Sequence, residues 1–309
     1  MTTATETLRH SGKTRELMAV RGDRAGGRPY REAWDVMQLT DLPRGRPLRV
    51  LQITDTHLYG DGGQLAGVDT EAAWEAVVAA LRGKEQRCDL LLHTGDVIHD
   101  GALDTDAAYC EARRQLQGLG LPGLVVPGNH DDAGAMERVF HTGPVRLVGH
   151  LVAADWLFIT LDSTVPGATH GHLSATQLQW LDDCLGANDG RHVLVGLHHH
   201  PVPVGCRWID RIGLDNGRDL FDVLDRHDAV RAVVWGHVHQ EFDGWHGDIR
   251  LLASPSTCVQ FDPASPTFRI DPRPPGYRWL ELQPDGRVRT GVERLTELPA
   301  GLDVGIAGY

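Results

Sequence analysis

The sequence predicts an α/β fold with β-sheets in the middle and helices outside. Short apolar runs alternate with amphipathic helical segments from about residue 48 to residue 235, and only strand-like runs follow residue 250. This order of elements is typical of sheets covered by helices. Most of five short polar motifs follow an apolar run, so they would lie where buried strands end, which is where α/β sheets build their sites.

The first half of the predicted domain alternates strands with helices. Period-two and continuous apolar runs indicate strands, and apolar residues at helical spacing indicate helices. Pro127 and Gly128 would end the third strand. The predicted strands cover residues 48–53, 89–93 and 124–126, and the predicted helices cover residues 70–82 and 104–116.

The second half repeats this alternation and ends in strands. Ser174 followed by Gln177 is a capping-box start for a helix that reaches about residue 185. A second helix covers residues 219–225, and the proline-rich residues 262–275 are expected to form a loop. The predicted strands cover residues 156–161, 193–197, 230–235, 250–253, 277–282 and 287–293.

The chain is predicted to hold one domain. Residues 1–45 carry mixed charge and little apolar periodicity, so we expect an N-terminal extension that is partly ordered at best. Residues 46–309 would form a single domain with a β-rich C-terminal part, because the polar motifs make sense only if residues 55–239 converge. The purpose of the extension and the oligomeric state, monomer or dimer, stay open.

Composition excludes several classes of partner. The chain has 309 residues, 41% of them hydrophobic, and a net charge of -12. Such a chain is not built to hold a nucleic-acid polymer by counterion release, nor to bind an anionic membrane. No segment looks like a secretory signal or approaches the roughly 20 apolar residues of a membrane span, so we expect a cytoplasmic protein. The five cysteines form no CxxC pair, which argues against a disulfide framework and a thiolate zinc site.

The five polar motifs together supply carboxylate, imidazole and amide ligands. Taken singly, each motif is also explained by a structural role without function, such as a solvated loop, a helix cap, a Gly-Asn turn or a hydrogen-bonded core imidazole. Together they are too rich for one metal ion and suit two adjacent ions. The motifs are Asp55-Thr56-His57, Gly95-Asp96, Gly128-Asn129-His130-Asp131, His198-His199-His200 and Gly236-His237-Val238-His239.

The order of these motifs resembles the calcineurin-like metallophosphoesterase superfamily, whose pattern is D-x-H, G-D, G-N-H-[DE], H and G-H-x-H. The resemblance spans about residues 48–255. Residues 51–58, 171–181, 198–206 and 254–261 are similar to the bacterial class III 3',5'-cyclic AMP phosphodiesterases. The N-terminal extension is longer than the lead-in usual in that family.

The resemblance implies a four-layer α/β/β/α sandwich, with two central mixed sheets flanked by helices, and two metal ions. His198 matches the family's ligand position, with His199 and His200 as alternatives. The ions would be divalent or trivalent, and iron, manganese, zinc and cobalt all suit oxygen and nitrogen ligands. By motif position, one ion would take Asp55, His57, Asp96 and His239, and the other would take Asp96, Asn129, His198 and His237.

The resemblance further implies hydrolysis of 3',5'-cyclic AMP to 5'-AMP in cyclic nucleotide signalling. A hydroxide bridging the two ions would attack phosphorus, and His130, adjacent to Asn129, would act as general acid or electrostatic stabiliser. Asp96 is the other catalytic candidate. Asp100 or Asp131 would orient His130. The small-molecule cyclic nucleotide would contact His57, Asp96, Asn129, His130 and His239.

Substrate recognition leaves alternatives open. Trp208, Gln260 and Phe261 are candidates for holding the base, although they suit packing of a β-layer equally well. The same scaffold serves 2',3'-cyclic phosphodiesterases, phosphomonoesterases and nucleotide pyrophosphatases, since substrate choice lies in loops. A non-enzymatic scaffold would lack ligands, and all seven expected positions are filled here.

Overall fold

The computed structural model describes residues 3–10, 13–20, 36–60, 62–84, 87–100 and 105–308. In chain order the strands are β1 (Thr3–His10), β2 (Lys13–Val20), β3 (Val36–Leu39), β4 (Leu48–Ile53), β5 (Gln64–Leu65), β6 (Val68–Asp69), β7 (Leu90–His93), β8 (Gly123–Val125), β9 (Val145–Arg146), β10 (His150–Ala153), β11 (Trp156–Thr160), β12 (His192–Gly196), β13 (Val230–Trp235), β14 (Phe242–His246), β15 (Ile249–Ala253), β16 (Gln260–Phe261), β17 (Ile270–Asp271), β18 (Gly276–Leu282) and β19 (Val288–Arg294). The helices are α1 (Thr70–Leu81), α2 (Thr105–Gln117), α3 (Ala133–Phe140), α4 (Ala175–Gly186) and α5 (Gly217–Leu224).

Two large mixed sheets form the centre of the fold. One has six strands in the order β19-β18-β4-β7-β8-β9, and β4, β7, β8 and β9 run parallel. The other has nine strands in the order β1-β2-β3-β10-β11-β12-β13-β15-β14, with β11, β12, β13 and β15 parallel. Because parallel neighbours end at the same edge, each sheet presents several strand ends together.

The two sheets pack face to face, and helices cover their outer faces. One apolar cluster joins Val50 and Leu92 of the six-stranded sheet to Leu194 and Val234 of the nine-stranded one. The other face of the six-stranded sheet packs against α1, α2 and α3, and the other face of the nine-stranded sheet packs against α4 and α5. The predicted four-layer α/β/β/α architecture with two mixed sheets is therefore confirmed.

Side-chain caps fix where three of the helices begin. Asp69 caps α1 by accepting a hydrogen bond from the Ala72 amide, and Asp132 caps α3 by accepting from the Ala135 amide at 2.9 Å. Ser174 accepts from the Gln177 amide at 3.2 Å, which confirms the start predicted for α4. Each cap satisfies one amide that has no partner within its helix.

Several elements were not predicted. Helix α3 and nine strands had no separate signal in the sequence: β1, β2, β3, β5, β6, β9, β10, β14 and β16. The expected loop at residues 262–275 contains β17, because its backbone pairs with β16. Every other predicted strand and helix appears within a few residues of its expected bounds.

The N-terminal residues add strands to one end of the nine-stranded sheet. Strands β1, β2 and β3 pair in succession, and β3 runs parallel to β10. Met37 and Leu39 of β3 are 0% and 2% exposed and join the core between the sheets. A domain boundary at residue 45 stays a prediction. None of the described helices is long and apolar enough to cross a membrane.

Candidate metal centre

The seven predicted ligands follow five strand ends, and both sheets contribute. Asp55 and His57 follow β4, Asp96 follows β7, and Asn129 lies beyond β8. The nine-stranded sheet supplies three imidazoles: His198 follows β12, and His237 and His239 follow β13. Because the two sheets face each other, these ends meet at one edge of the sandwich.

The backbone beneath the ligands adopts an unusual conformation. Five of the seven non-glycine residues with positive φ in the described chain are predicted ligands. Such angles cost of order 1–3 kcal/mol each and persist only where the surroundings hold them, commonly at functional sites. They are Asp55 (φ 52°), His57 (47°), Asp96 (52°), His237 (66°) and His239 (49°).

Glycines allow the strand ends to approach this closely. A Cβ on Gly236 would overlap Thr54 Oγ1 and lie 2.9 Å from Asp55 Oδ2, and a Cβ on Gly128 would overlap the Asp96 carboxylate. Each of these two glycines therefore makes room for a predicted ligand from another strand, which a sequence pattern alone does not reveal.

Four buried side chains form the first group of donors. His57 Nε2 lies 3.2 Å from His239 Nε2 and 3.7 Å from Asp96 Oδ2, and His239 Nε2 lies 3.4 Å from Asp55 Oδ1. Ligand atoms of Asp55, His57 and His239 all lie within 4.8 Å of one another. These four residues are at most 1% exposed.

The second group adjoins the first through Asp96. His198 Nε2 lies 3.2 Å from Asp96 Oδ2 and 3.2 Å from Asn129 Oδ1. The ring centroids of His198 and His237 are 5.1 Å apart. The Asp96 Oδ2 atom therefore lies near both His57 and His198.

Backbone carbonyls fix the tautomers of three imidazoles. His198 Nδ1 lies 2.8 Å from Thr94 O, and His239 Nδ1 lies 2.8 Å from Val259 O, so in its neutral form each imidazole places its proton on Nδ1 and a lone pair on Nε2. His237 Nε2 lies 3.0 Å from Ile212 O, which leaves its Nδ1 lone pair free to ligate. Such outer partners are characteristic of metal-binding histidines, so the donor set fits divalent cations.

The three consecutive histidines diverge. His198 turns toward Asp96, whereas His199 Nδ1 faces Ser163 Oγ at 2.8 Å and His200 Nε2 lies 3.6 Å from Asp210 Oδ1. A ligand atom of His199 also comes within 4.8 Å of those of His198 and His237. The assignment of His198 over its neighbours stays a prediction that this geometry favours.

Burial and charge polarise the site. Burial raises the pKa of Asp96, but the neighbouring His198 and His130 imidazoles outweigh it and hold that pKa well below its usual range. Burial lowers the pKa of His198, but the Asp96 carboxylate outweighs it and raises the pKa to about 9. Burial holds the pKa values of His57 and His237 well below normal, so both imidazoles are neutral and able to ligate.

His130 is paired with Asp100 and not with Asp131. His130 Nδ1 lies 2.5 Å from Asp100 Oδ1, and the His130 amide donates to Asp96 at 3.0 Å. Burial lowers the pKa of His130, but Asp96 and Asp100 outweigh it and raise that pKa. Asp131 instead accepts from the Val97 amide and from other groups of the loop. Of the two predicted orienting residues, Asp100 is therefore the one in contact.

A cleft of about 490 Å³ opens beside His130 and Asn129, and it is also lined by residues 164–167.

The three candidates for binding the base do not line this cleft. Phe261 is fully buried and stacks on His239 with centroids 4.1 Å apart, and Trp208 packs edge-on against it. Gln260 is 1% exposed and accepts from Arg294, so packing is the role that these contacts support.

Sequence reasoning missed His99. Its ring stacks on His130 with centroids 4.6 Å apart, and its Nδ1 lies 3.1 Å from His57 Nδ1. The only signal was its position three residues after Asp96, next to Asp100.

The class of protein follows from this fold and the comparisons with known families. Residues 48–241 match the calcineurin-like phosphoesterase family, and the chain belongs to that family. Two solved structures share the fold: a dimetal phosphatase from Danio rerio (17% identity, TM-score 0.53, 81% of this chain and 99% of that one) and a purple acid phosphatase from yellow lupin (13% identity, TM-score 0.54, 91% of this chain and 59% of that one).

Three relatives are more similar to this chain in sequence than these two structures are. The 3',5'-cyclic adenosine monophosphate phosphodiesterase CpdA of Pseudomonas aeruginosa is 44% identical over 84% of this chain and 94% of its own. The protein of the same name from Escherichia coli K12 is 40% identical over 85% and 95%. A 3',5'-cyclic-nucleotide phosphodiesterase from Nostoc is 40% identical over 81% and 93%.

Proposed function

We propose that this protein hydrolyses a 3',5'-cyclic nucleotide, with cyclic AMP as the first candidate, to the 5'-monophosphate. The observation that supports this most is the meeting of Asp55, His57, Asp96, His198 and His239 at one buried edge, in a chain whose relatives carry that activity in their names. Because a cyclic nucleotide signal is an intracellular one, the proposal places the enzyme in the cytoplasm.

Two cations would be held by the seven predicted ligands. Asp55, His57, Asp96 and His239 would hold one, and Asp96, Asn129, His198 and His237 would hold the other. Such cations supply Lewis acidity toward phosphoryl oxygens and make water acidic enough to ionise near neutral pH. The ligands carry only two carboxylates, so the loaded site would attract an anionic phosphodiester.

His130 would serve the leaving oxygen. Opening of the cyclic ester releases the 3'-oxygen as a strongly basic alkoxide, which needs a proton or a nearby positive charge. The raised pKa of His130 favours its protonated form, and the contact with Asp100 holds the ring beside Asn129 at the mouth of the cleft. The nucleoside would then occupy that cleft, which has the size of a small-molecule site.

Substrate choice is the part of the proposal that most needs a test. Purified protein loaded with Mn²⁺ should turn over 3',5'-cyclic AMP faster than 2',3'-cyclic AMP and faster than a simple aryl phosphate. Chelator-treated protein is the control for a contaminating hydrolase. The treated protein should lose its activity and regain it when Mn²⁺ is restored. Hydrolysis of the aryl monoester alone would contradict the proposed substrate while leaving the family intact.

A further inference from the structure

The side chains of His57 and His99 face each other through their Nδ1 atoms. Their Nδ1 atoms are 3.1 Å apart, a hydrogen-bonding distance, so one ring donates and the other accepts. Two arrangements satisfy the contact: His57 carries the proton on Nδ1 and donates it to His99, or His99 carries the proton and donates it to His57.

The role of His57 decides between these arrangements. Its Nε2 faces His239 Nε2 and the Asp96 carboxylate within the candidate metal centre. A neutral imidazole that binds a cation through Nε2 must carry its proton on Nδ1. His57 would therefore donate, and His99 Nδ1 would be the acceptor, just as backbone carbonyls are the acceptors for His198 and His239.

The other side of His99 faces the proposed general acid. If Nδ1 of His99 accepts, its proton lies on Nε2, which is 3.5 Å from Asp100 Oδ1. The same carboxylate oxygen lies 2.5 Å from His130 Nδ1, and the His99 and His130 rings stack at 4.6 Å with 21° between their planes. His99 thus contacts the predicted ligand His57 through Nδ1, and its Nε2 approaches Asp100, the partner of His130.

We propose that His99 is a positioning residue, which fixes the tautomer of His57 for cation binding and holds Asp100 and His130 beside that site. The inference rests on the proposed metal centre, because the direction of the His57–His99 hydrogen bond follows from His57 binding a cation.

Two nearly isosteric substitutions test the acceptor. His99→Asn keeps an oxygen close to the position of Nδ1, whereas His99→Leu has the same branched shape and no acceptor; both lose the stacked ring. Zn²⁺ affinity, measured by competition with a chromophoric chelator, should fall about 10-fold or more in the Leu variant and stay within about threefold of wild type in the Asn variant. Equal affinities in the two variants would overturn the proposal.

The wild-type protein gives a readout that does not depend on a variant folding. In Zn²⁺-loaded protein labelled with ¹⁵N-histidine, two-bond ¹H–¹⁵N correlations should show His57 protonated on Nδ1 and His99 protonated on Nε2. A proton on Nδ1 of His99 would overturn the proposal. If His57→Ala binds Zn²⁺ as tightly as wild type, the proposed metal centre is wrong, and this inference is wrong with it. That result differs from equal Zn²⁺ affinities of His99→Asn and His99→Leu, which would overturn this inference alone.

Discussion

Asp96 is the side chain on which both proposed cation positions depend. Its Oδ2 atom lies 3.7 Å from His57 Nε2 and 3.2 Å from His198 Nε2, and its Oδ1 atom accepts from the His130 amide. One carboxylate thus joins donors from both sheets and anchors the loop that carries His130. No other described carboxylate contacts all three of these histidines.

Removing the Asp96 carboxylate should remove metal and activity together. Asp96→Ala is expected to retain less than about 1% of wild-type turnover, because a dimetal site without its bridging oxygens loses its clamp on the phosphoryl group. Elemental analysis and cyclic AMP turnover measure the two losses. Asp106→Asn is the control, since Asp106 pairs with Arg138 at the exposed surface, where an ion pair contributes little. Full metal content with wild-type turnover in Asp96→Ala would refute the bridging role.

His130 should affect turnover without affecting metal content. His130→Ala is expected to lower kcat by about 10²-fold or more, a typical contribution of a general acid. His141→Ala is a matched control, because that imidazole is exposed and contacts the backbone oxygen of Arg138. Steady-state kinetics with metal analysis checks this, and an unchanged kcat in His130→Ala would rule out the role.

Prediction at the level of residues was possible where chemistry and position coincide in the sequence. Each predicted ligand belongs to a short motif at a strand end, so its type and place were readable. His99 was not, because a single histidine outside the motifs gains meaning only from its contacts with His57 and His130. The choice between Asp100 and Asp131 likewise depended on how the loops fold over one another.

At the scale of elements, the site is a set of sharp turns at the ends of parallel strands. The turn after β13 brings Gly236 against Thr54 and Asp55 of the turn after β4, so two sheets meet with no room for a side chain. The strained backbone at His237 and His239 lies in the same turn.

A methyl group at this contact should disturb the site. Gly236→Ala is expected to destabilise the fold by about 1–3 kcal/mol, the usual cost of overpacking, and to weaken metal binding by displacing Asp55. Gly196→Ala in β12 is the control, because its Cβ would meet its nearest neighbours at 3.8 Å, an ordinary contact. Thermal unfolding with metal titration compares the two, and equal behaviour of both variants would show that the Gly236 contact is not critical.

A continuous apolar run determined whether a strand was predicted. The long apolar runs of β4, β12 and β13 were readable. Strand β14 was not, because Phe242–His246 contains a glycine and lies at the edge of its sheet, half exposed. Helix α3 follows the motif of Asn129 directly and spans only eight residues, which is too short for a separate helical signal.

At the scale of the molecule, the fold consists of two sheets whose facing surfaces make one core. Composition and element order were enough to predict helices outside sheets. The pairing of β3 with β10 was not readable, since it joins segments more than 100 residues apart through a four-residue strand.

Two truncations test the predicted boundary at residue 45. Deletion of residues 1–35 should keep cyclic nucleotide hydrolysis, because the family match starts at residue 48 and every predicted ligand lies later. Deletion of residues 1–45 also removes the buried Met37, Leu39 and Leu42, and should cost on the order of 5 kcal/mol of unfolding free energy. Urea unfolding measures this, and equal stability of the two truncations would contradict a structural role for β3.

Anomalous diffraction from crystals grown with Mn²⁺ is the most direct examination of the metal centre. Two adjacent anomalous peaks are expected at the shared edge of the sheets, one on each side of the Asp96 carboxylate and together reached by all seven predicted ligands. A single peak, or none at this edge despite excess Mn²⁺, would contradict the dimetal site from which the proposed hydrolysis is derived.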